Sequence, residues 1–444
     1  MAPLDFGRAR RNAMRRRLVW AMASALSAST AVRAAPVESA ASQSSDKVVS
    51  DLPPWREPGD LPLPAWARSA IVERDEQAIQ SAPQGSAPRR GTTIRGARLP
   101  FYGAKRGPGC AARWIAIGPL AWICQDAVRL DAGLSELSPT ADDAPDGLPF
   151  HYFFVGSAGT DGYYRLDDAG DVAPDQKLEA GFAIAETDEA VKGGERYVRT
   201  SRNTWVPRRD LVAAPVFDFR GAEIAAGSTL NMAWVVEDKV AVLAAPRGKP
   251  DPARAMPRFT QVEVLEEKAD KDGGYLRIGD GQWLRARDVR APVLSAPPAG
   301  VAPNERWIDV DLSRQTLVAY EGDRPVFATL VSTGIGKEGT DTGTPRGEFR
   351  IWVKLKSSDM DNLDDEHADR YYAVEQVPYV QYFAKGVGLH GAFWHRSFGH
   401  VRSHGCVNLA PLDAEWLFAF TSPGLPHGWT AVLPTDDGTL VRVR

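Results

Sequence analysis

Seven histidines are spread over 444 residues, yet His390, His395, His400 and His404 all fall in "LHGAFWHRSFGHVRSHGCVN", a stretch that also holds Cys406. Imidazoles and a thiol at this density suit three kinds of chemistry. A metal centre would use them as ligands, but spacings of five, five and four residues match neither a helix face nor a zinc ribbon. Phe393, Trp394 and Phe398 between them read as packing residues, so no metal or other cofactor is expected. A purely structural region accounts for any one of these side chains but not for their concentration. Nucleophilic catalysis accounts for it better: a thiol with its free pKa of about 8.5 is mostly protonated near neutrality, so Cys406 needs an imidazole within hydrogen-bond reach. His390 and His404 are the candidates. Gly405 removes a Cβ where substrate must approach and permits a turn in which successive backbone N–H groups converge on a carbonyl oxygen. Acyl transfer requires this set of groups.

Chain order narrows the class. Papain-like and NlpC/P60-like peptidases place Cys well before His, and sortases, which run His then Cys, use a far longer interval than 390 to 406. Here His390-Gly391 is followed by Ser403-His404-Gly405-Cys406-Val407-Asn408. This resembles the L,D-transpeptidase catalytic domain of YkuD type, which carries H-G and then [S/T]-H-G-C-x-[N/R]. "IDVDLSRQTLVAYEG", "VSTG…GTPRGEFRI" and "PLDAEWLF…PGLPHGWTAV" look like its opening strands and its post-cysteine helix and last strand, so the resemblance covers about 305–436. It implies that Cys406 attacks the amide between the third, L-centred residue of a peptidoglycan stem and the terminal D-alanine, and that an amine of another stem resolves the thioester. It further implies His390 as base, oriented by the Gly391 carbonyl, His404 shaping the pocket, and the N–H groups of Gly405 and Cys406 as oxyanion hole. Ser403, Asn408, Trp394, His395, Tyr371 and Tyr372 are candidates for the stem-binding cleft. Carbapenems are the expected inhibitors. An L,D-carboxypeptidase would use the same residues with water as acceptor, and a cell-wall-binding protein with a vestigial domain is the alternative of another class.

The elements that must position these residues are mostly strands. Alternation at Ile308, Val310 and Leu312, a turn at Glu321-Gly322-Asp323 and the β-branched run in 326–333 predict an antiparallel meander. A helix is predicted from Pro411, with Asp413 and Glu415 in its first turn and Leu412, Trp416 and Phe420 on one face. Gly334, Gly336 and Gly339 match G-x-G-x-x-G, but turn residues and then a strand follow where a dinucleotide site needs a helix. Asp359, Asp361, Asp364, Asp365, Glu366 and Asp369 read as a solvated surface loop.

Upstream, arginines between 8 and 17 precede "LVWAMASALSASTAV", which reads as a signal peptide at 1–34 and so as export to periplasm or cell wall. Residues 35–92 are Pro-, Ser- and Ala-rich and read as a flexible linker. "WIAIGPLAWICQDAV", "YVRTSRNTWVPRRDLV" and "YLRIGDGQWLRARDVR" form a weak repeat that resembles the end of a bacterial SH3-like domain, predicting β modules at 93–135, 148–214 and 215–292. The fold class expected is therefore mainly β: small SH3-like modules, then an L,D-transpeptidase-like β-sandwich with one or two helices at 305–436. Export makes a Cys110–Cys124 disulfide the natural pairing and leaves Cys406 free. A formal net charge of -4 offers no global field for nucleic acid, and no later apolar run is long enough to anchor the chain in a membrane.

Overall fold

The meander predicted from alternating apolar residues is present. Arg306–Asp311 pairs antiparallel with Thr316–Glu321, setting Val310 opposite Leu317, and Thr316–Glu321 pairs on with Arg324–Leu330. Leu440–Val443 joins the other side of Arg306–Asp311 in parallel, and Gly347–Arg350 extends the sheet beyond it. Asp309 lies inside, 2% exposed, held by Arg442 Nε at 2.7 Å and Arg444 Nε at 2.9 Å. Charge pairing thus reinforces the ladder that carries the last strand. These relationships come from a computed structural model that describes residues 61–135, 146–271, 273–363 and 371–444. The expected signal peptide at 1–34 lies outside the described residues.

A second sheet faces the first. Val353–Asp361 and Ala373–Ala384 form a long antiparallel pair, Val387–Gly391 adds antiparallel to Ala373–Ala384, and Val407–Leu409 adds to Val387–Gly391 in parallel. Ile308, Val310, Leu317, Phe327, Leu389, Val407 and Leu409 share the core between them. This is the expected mainly β sandwich, and Pro411–Phe420 is the single α-helix among the described residues. No helix among the described residues is long and apolar enough to cross a membrane.

The helix starts where Pro411 has no N–H to leave unpaired. Its buried side is Ala414, Leu417, Phe418 and Phe420; of the expected Leu412, Trp416 and Phe420, Phe420 is buried and Trp416 packs partly buried against the core. The upstream segment also packs on this helix: Asp413 is buried, accepts the Gly221 N–H at 2.7 Å and pairs with the Thr329 hydroxyl. Burial raises the Asp413 carboxyl to about 7. At the other end Lys354, fully buried, donates from Nζ to the carbonyls of Phe418 at 2.7 Å, Thr421 at 2.8 Å and Pro423 at 2.9 Å. A helix C-terminus leaves such carbonyls without intrahelical partners, and one ammonium supplies them here.

The three tryptophan-centred segments each fold as strand, turn, strand, 3₁₀ turn and strand. The second strands are Ala121–Cys124, Trp205–Pro207 and Gln282–Arg285, and the 3₁₀ turns are Gln125–Ala127, Arg208–Asp210 and Ala286–Asp288. Cys110 and Cys124 are joined in a disulfide in the first of these units. Two boundaries differ from expectation. The segment expected as linker to residue 92 contains Ser69–Val72, Gln77–Gln80 and Arg89–Thr93, since these short strands find partners outside it: Ser69–Val72 pairs with Val128–Asp131, and Thr92 lies opposite Ala431 of the C-terminal domain. The start of the expected module at 215–292 belongs instead to the C-terminal domain, since Ala222–Glu223 pairs with Arg324–Leu330 and Phe219, Ile224 and Leu230 pack with Trp307 and Tyr320. One sheet consequently runs from the second unit (Glu195–Thr200, Ala183–Lys192) through Ala373–Ala384, Val353–Asp361 and Trp429–Val432 into the first (Arg89–Thr93, Gln77–Gln80).

Replacing Lys354 by Met is expected to destabilise the fold by roughly 3 kcal/mol at neutral pH, by leaving buried carbonyls without a donor. Burial lowers the Lys354 ammonium to about 7, whereas an unfolded lysine keeps its proton to about 10.4. Between those values the unfolded chain binds more protons, so this group makes wild-type stability rise with pH. Denaturant midpoints at pH 7 and pH 9.5 should show a rise in wild type that is smaller in Lys354→Met. An equal rise in both would assign the slope to other groups.

Candidate active site

The parallel ladder sets Leu389 opposite Val407, His390 opposite Asn408 and Gly391 opposite Leu409. Leu389, Val407 and Leu409 face the core, so by strand alternation His390 and Asn408 face the other way, and Cys406, one residue before the strand, continues their side. The two sequence-predicted groups are thus brought to one sheet face on adjacent strands. Gly391 carries no Cβ where one would lie 2.9 Å from Pro378 Cγ, which gives the neighbouring strand room, while the helix residue Ala414 would stand at an ordinary 3.4 Å.

His390 is buried, and its Nδ1 lies 3.1 Å from the carbonyl oxygen of Gly391. That acceptor fixes the proton on Nδ1 and leaves Nε2 as the basic nitrogen. Trp394 stacks on the ring at 5.7 Å. Burial lowers the imidazole to about 4, the Gly391 carbonyl opposing the shift. The Cys406 thiol is half-buried and directed at the Gly386 carbonyl at 3.8 Å. Burial pushes it above its usual range, with the Gly388 N–H pulling the other way. The resting site therefore holds a neutral thiol and a neutral imidazole, not the thiolate that the sequence argument expects His390 to hold. Both groups are taken out of water, and that disfavours both charges.

Gly405 has φ +122°, a conformation that suits glycine, while a Cβ there would meet only ordinary contacts, the nearest at 3.5 Å. Backbone geometry, not crowding, calls for glycine here. Its carbonyl accepts from Thr344 Oγ1 at 2.7 Å, and the same hydroxyl accepts the Gly334 N–H at 2.8 Å. Gly334 of the false nucleotide motif is thus tied through Thr344 to the turn before Cys406. Ser403 Oγ accepts the Gly405 N–H at 3.1 Å and donates to the Cys406 carbonyl. Two expectations change accordingly: Ser403 closes the turn instead of reaching for substrate, and the Gly405 N–H is already engaged, which leaves the paired oxyanion donors unassembled at rest.

Asn408 and His395 also turn inward. His395 Nδ1 accepts the Ser397 N–H at 3.1 Å, and its Nε2 lies 2.9 Å from the Asn408 amide. The ring's single proton must then sit on Nε2, and the Asn408 atom facing it is the amide oxygen. Both side chains are buried, and burial lowers His395 to about 3. They brace the strand and do not line the cleft as expected. His400 is bound elsewhere, 3.2 Å from the Val236 carbonyl of the third unit, so the four histidines do not gather around one point.

His404 is exposed and stacks on Tyr372 at 5.6 Å. Tyr372 and Tyr382 both lie near the thiol: burial first, then charge at Cys406, raises each phenol. Trp352, exposed, stacks on Tyr382 at 5.9 Å. Neither Tyr382 nor Trp352 is marked by any local motif, since the aromatics of 379–383 fall at 379, 382 and 383 without regular alternation. Tyr371 is exposed at the end of the same segment. Asp359 and Asp361 are ion-paired to Arg202 and not free in solvent, while Asp364, Asp365, Glu366 and Asp369 lie outside the described residues.

Residues 305–443 match the family model of the L,D-transpeptidase catalytic domain (YkuD), and this part of the chain is a domain of that class. The chain is similar to the putative L,D-transpeptidase YciB of Bacillus subtilis, 23% identical over 128 residues that cover 25% of this chain and 59% of that protein. It is similar to the crystal structure of a cysteine-to-serine mutant of the Enterococcus faecium L,D-transpeptidase, 24% identical with 32% of this chain and 50% of that one covered at a TM-score of 0.24. It is also similar to the NMR structure of the E. faecium catalytic domain acylated by ertapenem, 25% identical with 32% and 98% covered at a TM-score of 0.24. The chain thus spans less than two thirds of the length of the first two.

The neutral pair predicts the pH dependence of Cys406 alkylation. The thiolate fraction should climb with a midpoint above the free-thiol value of about 8.5. A plateau already reached near pH 6 to 7 would instead show a resting ion pair with His390.

Proposed function

We propose that the chain is an exported cysteine acyltransferase that cleaves the L,D amide of a peptidoglycan tetrapeptide stem and passes the acyl group to an amine, cross-linking the cell wall. The observation that supports this reading best is the His390 tautomer on the sheet face that Cys406 shares: Nδ1 is engaged by the Gly391 carbonyl, so Nε2 is available to take a proton. A substrate seated against the half-buried Cys406 displaces water, and Sγ swings from the Gly386 carbonyl toward the substrate carbonyl carbon. The thiol proton passes to His390 Nε2 as the S–C bond forms. The carbonyl oxygen takes up negative charge, for which the Cys406 N–H is the nearest backbone donor of the turn, joined by the Gly405 N–H if Ser403 Oγ releases it. Collapse breaks the C–N bond, and the D-alanine amine leaves with the proton from His390. The thioester is then attacked by the acceptor amine, which gives a proton to His390 Nε2. The sulfur recovers that proton on leaving.

Burial keeps His390 neutral, so this base is ready over a wide pH range and does not depend on a resting ion pair. Tyr372, Tyr382 and Trp352 supply aromatic faces for the stem, and Trp394 holds the His390 ring in plane. Because the similar E. faecium domain is described as acylated by ertapenem, Cys406 is expected to take up a carbapenem in the same way.

The test is to incubate the purified protein with a defined tetrapeptide muropeptide and read the products by mass. The expected products are free D-alanine and a dimer joined between third residues. Tripeptide alone would make water the acceptor. Cys406→Ala should abolish both products, and His390→Ala should slow them by about 10²-fold or more. Turnover by Cys406→Ala would rule out this nucleophile.

A further inference from the structure

A polar cluster lies where the second β unit meets the long strand pair of the catalytic domain. Arg202 donates from Nε to Asp359 Oδ2 at 2.8 Å and from Nη2 to Asp361 Oδ2 at 2.6 Å, so one guanidinium spans two carboxylates of Val353–Asp361. The other oxygen of Asp359 accepts from the Gln376 N–H at 2.9 Å and from Gln376 Nε2 at 3.0 Å, carrying the link to the neighbouring strand. Beside it Glu375, 3% exposed, accepts from the Ser201 N–H at 3.2 Å, Ser201 Oγ at 2.9 Å and the Ala185 N–H at 3.2 Å. The loop at 201–202 therefore grips both strands through adjacent residues.

The grip leads to the active site. One residue beyond Asp361, Asn362 Oδ1 accepts the Tyr372 N–H at 2.7 Å. Tyr372 lies nearly parallel to the His404 ring, 13° apart at 5.6 Å, two residues before Cys406. Exposed ion pairs add little to stability. Here the guanidinium is two-thirds covered, and both its carboxylate partners are similarly covered. A fork shared by two carboxylates fixes geometry better than a single exposed contact does.

We propose that Arg202 is a positioning residue for the acyl-transfer site: through Asp361 and Asn362 it sets the seat of Tyr372 against His404, and so the access of bulky groups to Cys406. This rests on the reading of Cys406 as nucleophile. The second β unit is on this account a part of the active site and not an appendage to it.

Cys406 labelling, which needs no turnover, tests the proposal in the whole protein. N-phenylmaleimide should label Arg202→Ala between about threefold and thirtyfold faster than wild type, with iodoacetamide little changed. The swapped pair Arg202→Asp with Asp361→Arg should return toward the wild-type rate. Tyr372→Ala should reproduce the effect, and Arg202→Ala added to it should change nothing further, since the two act in one chain. Unchanged labelling in Arg202→Ala overturns the proposal. So do effects of Arg202→Ala and Tyr372→Ala that multiply. Equal acceleration with both reagents, together with a lowered melting temperature, also overturns it by making the cluster a mere fastening. A wild type that labels as described but does not turn over the muropeptide defeats the transpeptidase reading and leaves the role of Arg202 standing.

Discussion

Three residue pairs of parallel ladder, from Leu389 opposite Val407 to Gly391 opposite Leu409, hold the site together. Side chains alternate along a strand, so a slip of one residue would turn His390 or Cys406 into the core and Leu389 or Val407 out of it. The surroundings enforce the register from both sides. Asn408 exchanges backbone bonds with Ser332 at 2.9 Å in each direction, and its side chain is tied to His395. On the other strand, the bare Gly391 lets Pro378 approach to where a Cβ would stand only 2.9 Å from its Cγ. Buried polar groups are therefore spent on alignment, and the two groups left free of such work are the His390 Nε2 edge and the thiol.

Electrostatics follow from this enclosure. Burial favours the neutral forms of both the His390 imidazole and the Cys406 thiol. The turn before Cys406 is held from behind by Thr344 on the Gly405 carbonyl and by Ser403 on the Gly405 N–H. Both contacts restrain the backbone while leaving Sγ able to rotate.

Much of the catalytic domain was legible in the sequence because its signals are local. The S-H-G-C motif, the His-Gly pair, the alternating strands of the meander and the proline-started helix each lie within a few consecutive residues. What escaped reading depends on partners distant in the chain. Ser403 and Asn408 look like substrate contacts in the motif, yet their roles are decided by Cys406, Gly405 and His395 in the folded turn. Arg202 lies in an unremarkable loop until Asp359 and Asp361 arrive from 157 and 159 residues away. The strand at 89–93 hides in a proline- and serine-rich stretch because its ladder is completed by Trp429–Val432 from the far end of the chain. Periodicity cannot register such pairing.

The unbroken sheet that joins the first unit, the catalytic domain and the second unit has one more consequence. Trp429–Val432 is covered by Arg89–Thr93, and Ala373–Ala384 meets Ala183–Lys192 near Val374. A catalytic domain cut free of its upstream units would present open strand edges lined with unpaired N–H and C=O groups, which invite pairing between separate molecules. The upstream β units thus act as edge guards.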